Sequence, residues 1–192
     1  METCKLNCEL QMEKTNGPWR VKSSQVKYSN PWLTVIEDKV IRPDGNPGIY
    51  GVVVIKDGVS VLALDNDKVA YLTKEFHYAV ERETIETVSG GMDGSESPLE
   101  AAKRELKEEL GITAAKWTSL GMSHPLTAVI EKTSHMFLAR GLTFGKANQE
   151  GTEQIQLVKI SFDRAVEMVM NSEITHAASC IAILKAKMLL SK

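Results

Sequence analysis

The stretch SGGMDGSESPLEAAKRELKEELGI, residues 89–112, constrains this chain more than any other. It begins as a glycine-rich loop and continues as a short helix. Ser97 can cap the helix, Pro98 fits its first turn, and Glu100 completes a capping box. Gly111 suits the left-handed residue just past a helix end. A helix over residues 98–110 is therefore expected. At roughly 100° per residue, Leu99, Ala102, Leu106 and Leu110 form one apolar stripe that faces a core. Glu105, Glu108 and Glu109 fall in the adjacent sector, and Arg104 lies on the far side with Glu100 and Glu108 as its i±4 neighbours.

Like charges at this spacing repel, which costs a helix a few tenths of a kcal/mol per pair. Two readings account for them. One is a solvated acidic face, the fate of most charge runs. The other is a site for a hard divalent cation, Mg2+ or Mn2+, which prefers carboxylate oxygens and bridges to phosphate.

The flanking sequence is β-rich. Short β-branched runs at residues 32–37, 50–55, 59–64 and 69–73 are separated by turn signals such as Asp57-Gly58 and Asn66-Asp67. Further strands fit residues 117–122, 135–139 and 155–160. Two helices close the chain, with Ser161 and Thr175 as candidate N-caps for residues 162–170 and 176–190. Residues up to about 18 are polar and unpatterned, and read as a loose tail. This order predicts an α/β (α+β) fold, a mixed sheet covered by helices. Residues 1–48 are expected to form a tail and β extension, and residues 49–192 the main domain.

Composition narrows the partners. The formal net charge of −2 gives no electrostatic case for nucleic acid or an anionic membrane. No apolar run approaches the roughly 20 residues that span a bilayer. The N-terminus lacks the apolar core of a secretory signal, so a cytoplasmic location is expected. Cys4, Cys8 and Cys180 lack metal-site spacings and read as plain thiols.

Gly90, Glu96, Arg104-Glu105-Leu106, Glu108-Glu109 and Gly111-Ile112 match the pattern G-x5-E-x7-R-E-U-x-E-E-x-G-U, where U is aliphatic, at every specified position. On this box the chain resembles the Nudix hydrolases, and the resemblance extends from about Tyr28 onward. It implies an α/β/α sandwich and divalent-cation-dependent cleavage of a nucleoside diphosphate linked to another moiety. It also implies that Glu105 and Glu109 are principal metal ligands with Glu108 beside them, and that the Ser89 carbonyl is a further ligand. Arg104 would orient the acidic cluster.

Within the family, residues 85–91, IETVSGG, resemble the approach to the box in ADP-ribose and nucleoside-diphosphate-sugar pyrophosphatases. Residues 28–33 and 50–53 resemble the β extension through which that branch forms homodimers. By the same resemblance, Glu153 in a polar loop is the general base, with Glu150 as its neighbour. His77 stands where the branch often has a phosphate-gripping arginine. Glu86, Gly90 and Trp32 are candidate substrate contacts, although Glu86 can equally end a strand and Trp32 can equally pack in a dimer interface. His135 and His176 read as structural. The alternatives are another Nudix substrate, such as a dinucleoside polyphosphate or an oxidised nucleotide, or a nucleotide-sensing module without catalysis.

Overall fold

The computed structural model describes residues 10–149 and 154–191. They divide into two compact units, residues 10–56 with Leu126–Lys132, and Asp57–Pro125 with residues 133–191.

The first unit is a sheet. Strands β1 (Leu10–Asn16), β2 (Trp19–Ser29), β3 (Leu33–Ile41) and β4 (Pro47–Ile55) form an antiparallel meander, and a short strand at Ile130–Glu131, the tenth in the chain, joins β4 in parallel. The expected loose tail is corrected over residues 10–18, because β1 pairs with β2 from Asn16↔Trp19 to Leu10↔Ser24, while residues 1–9 lie outside the described residues. Its polar sequence lacks the alternation that marks a half-buried strand, but Asn16-Gly17 is a hairpin turn signal, and Gly17 takes a positive φ of 56°. Asn30 shapes the turn before β3 by accepting hydrogen bonds from the Trp32 and Leu33 amides. Residue 48 falls inside β4, so the unit continues to Lys56.

The second unit is built on β5 (Gly58–Leu64), β6 (Val69–His77), β7 (Arg82–Glu86), β8 (Val88–Gly91), β9 (Ile112–Ser123), β11 (Ser134–Phe144) and β12 (Gln156–Ser161). The sheet order is β12-β6-β5-β11-β9, with β5 and β11 parallel and the other neighbours antiparallel. All of β5 is buried. Its side chains alternate between two cores, as a period of two requires. Val59, Val61 and Ala63 pack with helix α1 (Pro98–Leu110), while Leu62 and Leu64 pack with helices α2 (Phe162–Met170) and α3 (Ala177–Leu190). The result is the expected α/β/α sandwich with a mixed sheet.

One departure from a simple sheet positions the site. β5 and β6 pair only at Ala63↔Tyr71 and Leu64↔Ala70, then splay apart. The run from Arg82 to Gly91 enters the gap. Its first part, β7, pairs with β6, and its second part, β8, pairs with β5. Thr87 is the residue between the two ladders and belongs to neither.

Candidate active site

Helix α1 forms as its local signals dictate. The Ser97 hydroxyl accepts from the Glu100 amide, and the Glu100 carboxylate accepts from the Ser97 amide at 2.7 Å. Gly111 ends the helix at φ +66°, and a Cβ there would press on the backbone of residues 145–147. Ala102, Leu106 and Leu110 face the core as expected, and Leu99 packs against it half-buried. The carboxylates are more deeply placed than a neighbouring sector implies. Glu105 is 9% exposed and Glu109 is 5% exposed, both on the buried face itself. Glu108 is half-buried.

Arg104 compensates this buried charge. Its guanidinium donates to both oxygens of Glu96 at 2.7 and 3.2 Å, to Glu105 at 2.8 Å and to Glu108 at 3.1 Å. It also donates to the Gly91 carbonyl at 2.9 Å, which ties the helix to β8. The partner expected one turn back, Glu100, is instead engaged at the cap. Glu96, read from the sequence only as a box position, is the main counter-ion. It also accepts from the Asp93 amide at 2.6 Å. The Arg104 contact, followed by that amide, holds the Glu96 carboxyl below the usual carboxylate range. The same carboxylates push the Arg104 guanidinium up, so it is charged at any pH at which the protein is folded.

At Gly90, β8 runs close against the Glu105 side chain of α1. A Cβ at this position would overlap the Glu105 carboxylate, so only glycine leaves the space where that side chain lies. Ser89, which precedes it, pairs with Ser60 of β5, and its hydroxyl donates to the Thr87 carbonyl. Buried carboxylates at i and i+4 beside a backbone approach supply hard oxygen donors, and this donor set suits Mg2+ or Mn2+. Among the described residues, no three acidic, histidine or cysteine side chains converge as a ready-made ion cage, because Glu105 and Glu108 turn to Arg104. Glu153, the expected base, lies outside the described residues together with Glu150 and Gly151.

A cavity of about 680 Å³ opens along the outer side of α1 and shares Arg104 and Glu108 with the cluster. Lys103, Lys107, Lys146 and Trp117 also line it, so it presents ammonium groups and an aromatic ring to a ligand.

Two other candidates form a separate cluster. The Glu86 carboxylate lies 3.1 Å from His77 Nε2 and 3.0 Å from His176 Nδ1, and accepts from the Thr84 hydroxyl at 2.7 Å. Both of its oxygens are thus occupied by neighbours. His176 is the residue before α3, and its side chain makes no cap. Thr175, the expected cap, instead accepts from Arg82 at 2.9 Å. His135 is a half-buried residue of β11. Trp32 is in the first unit and is 75% exposed. Cys180 is a free thiol whose pKa burial raises. Among the described residues, no helix is long and apolar enough to cross a membrane.

Comparison with known proteins agrees with this architecture. The NUDIX domain profile matches residues 54–170, and the profile of the nucleoside diphosphate sugar hydrolase N-terminal domain matches residues 19–53. An ADP-ribose pyrophosphatase of Bacillus subtilis (strain 168) is 26% identical over 81% of this chain and 85% of its own length. A methanol dehydrogenase activator of Bacillus methanolicus is 23% identical over 85% of this chain and 89% of its own. The crystal structure of an ADP compounds hydrolase superposes with a TM-score of 0.81 at 19% identity, covering 93% of this chain and 97% of that one.

Proposed function

This chain belongs to the Nudix family, and from that premise we propose that it hydrolyses the pyrophosphate bond of ADP-ribose or a related nucleoside diphosphate sugar, with Mg2+ or Mn2+, to a nucleoside monophosphate and a sugar phosphate. The observation that carries this reading is the pair of buried glutamates, Glu105 and Glu109, with Glu105 set against Gly90 and braced by Arg104. Burying a carboxylate is costly even when it is paired, and buried ionisable groups cluster at functional sites. The N-terminal profile and the Bacillus subtilis relative support a nucleotide sugar over other Nudix substrates. The intact set of box glutamates argues against a sensing module without catalysis.

In this reading Glu105, Glu109 and the Ser89 carbonyl hold the cation, with Glu108 beside them. A divalent cation supplies Lewis acidity, neutralising charge that builds on the pyrophosphate. Arg104 keeps Glu105 and Glu108 in place. The lysines of the cavity beside α1 attract a polyanionic substrate. Water attacks one phosphorus, the bridging P–O bond breaks, and Glu153 takes the water proton as general base. Gly90 leaves room for the Glu105 carboxylate beside β8. His77 is the candidate phosphate contact of the cluster it shares with Glu86, whose own oxygens are taken by His77, Thr84 and His176.

We also read the first unit as the surface of a homodimer. Tyr28, Trp32 and Ile49 are 54%, 75% and 70% exposed there, and a two-fold isologous pair is the commonest oligomer. A monomer mass by light scattering at micromolar concentration would rule this out.

The decisive assay incubates the protein and magnesium with ADP-ribose, ADP-glucose, GDP-mannose and UDP-sugars and follows nucleoside monophosphate release. Turnover abolished by chelation supports the reading, and no release from any of them refutes it. Glu153→Gln should lower kcat by about 10² to 10⁴ with KM within a few-fold, as loss of a positioned base does. If Glu150→Gln shows that loss instead, Glu150 is the base.

A further inference from the structure

Thr87 poses a backbone problem. It sits where the run from Arg82 to Gly91 leaves the β6 ladder and joins the β5 ladder, and it is fully buried. A buried amide without a partner costs as much as a lost hydrogen bond. Helix α3 supplies the partner: the Thr87 N–H donates to the Ser179 hydroxyl oxygen at 3.0 Å, across 92 positions of sequence.

That contact is one link in a buried chain. The Thr87 hydroxyl lies 3.0 Å from Ser179 Oγ and 2.6 Å from Ser60 Oγ, and all three residues are at most 1% exposed. Ser179 Oγ also lies 2.8 Å from His176 Nδ1, which faces Glu86 at 3.0 Å. An ionised carboxylate only accepts, so His176 carries its proton on Nδ1. Nδ1 is then a donor whose one proton Glu86 and Ser179 share, and the Ser179 hydroxyl proton turns to Thr87 Oγ1. The Thr87 hydroxyl proton in turn goes to Ser60. In this ordering Ser179 and Thr87 each donate and accept, and such a directed buried network favours a single arrangement.

We propose that Ser179, oriented by His176, is a positioning residue for the candidate metal cradle: it locks the fork at Thr87 and so sets where Ser89 and Gly90 stand relative to Glu105. The proposal rests on the reading of β8 as part of that cradle. Two observations join the lock to the cradle. Ser89 is two residues beyond Thr87 and bonds back to its carbonyl, and Gly90 has no room for a Cβ against Glu105, so a small shift of β8 is felt at the carboxylate. The lock lies on the α3 face of the sheet, and none of its members is an acidic residue of the box.

The test uses the full chain and Mn2+ alone as probe, with binding read by the EPR signal of free Mn2+ and strand order read by hydrogen exchange without metal. Ser179→Ala should weaken Mn2+ binding by about 10- to 100-fold, the usual effect of losing a partner that orients a ligand. Exchange at residues 88–91 should rise. At saturating Mn2+, kcat should return to within a few-fold of wild type. His176→Leu should follow Ser179→Ala, and His176→Asn, which keeps a donor near the Nδ1 position, should rescue it. Ile183→Val, a cavity in the same helix, controls for stability alone. Unchanged exchange at 88–91 with an Mn2+ affinity within two-fold of wild type overturns the proposal, as does an equal loss in Ile183→Val. If wild-type protein binds no Mn2+ while exchange rises in Ser179→Ala, the cradle reading fails and the lock stands as structural.

Discussion

The two faces of the central sheet bury polar groups in opposite ways. On the α1 face the groups are charged. Glu105 and Glu109 are nearly inaccessible, and Glu105 is balanced by one guanidinium shared with Glu96 and Glu108. On the α3 face the innermost groups are neutral hydroxyls, Ser60, Thr87 and Ser179, which satisfy one another and a backbone amide. A neutral network can close on itself, whereas a cluster with more carboxylates than guanidinium groups suits a cation in the proposed reading. In the proposed reading, the difference separates a face that holds the strand from a face that holds the cation.

Four experiments probe that contrast. The largest effect is expected on the charged face. Glu109→Gln should lower turnover by roughly 10²-fold or more, on the scale of removing one electrostatic contact to a transition state. It should leave thermal stability in metal-free buffer unchanged or higher, since functional sites commonly cost stability. Near wild-type turnover would refute the ligand assignment. Gly90→Ala adds a methyl that overlaps the Glu105 carboxylate, so it should cost about 1–3 kcal/mol in denaturant unfolding and reduce metal affinity. An unaffected Gly90→Ala protein would mean that β8 and Glu105 are not held together as described.

The neutral face should respond in stability first. Ser179→Ala leaves the Thr87 amide buried without its acceptor, with an expected cost of about 1–3 kcal/mol by chemical denaturation. The smallest effect is electrostatic and concerns the entry to α1. Glu96 is held below the ordinary carboxylate range by Arg104, and Glu100 by the Ser97 hydroxyl and amide. A depressed folded pKa contributes stability that is complete above the unfolded carboxylate pKa and is lost as pH falls through the folded value. Melting temperature should therefore decline below about pH 4.5, and Glu100→Gln should flatten that decline slightly. An acid limb unchanged by Glu100→Gln and Glu96→Gln together would assign it to other groups.

Local rules in the sequence determined the helix that carries the site. Ser97, Pro98, Glu100 and Gly111 act within one turn of each helix end, and the structure places its ends at Pro98 and Leu110. The strands with β-branched runs were legible for the same reason, because alternation is a short-range property. The hairpin strand β1 was not, since polar residues at the margin of a sheet carry little alternation. Within the site, the box determined which residues gather, but not how Arg104 divides its donors, because Glu96 reaches it from the loop rather than along the helix. The cluster of His77, Glu86 and His176, and the bond from Thr87 to Ser179, were decided only by tertiary structure. They join residues up to 99 and 92 positions apart, and no local periodicity records which helix end comes to rest beneath which fork in a sheet. Short-range hydrogen bonding writes itself into sequence spacing; the satisfaction of a buried amide by a distant hydroxyl does not.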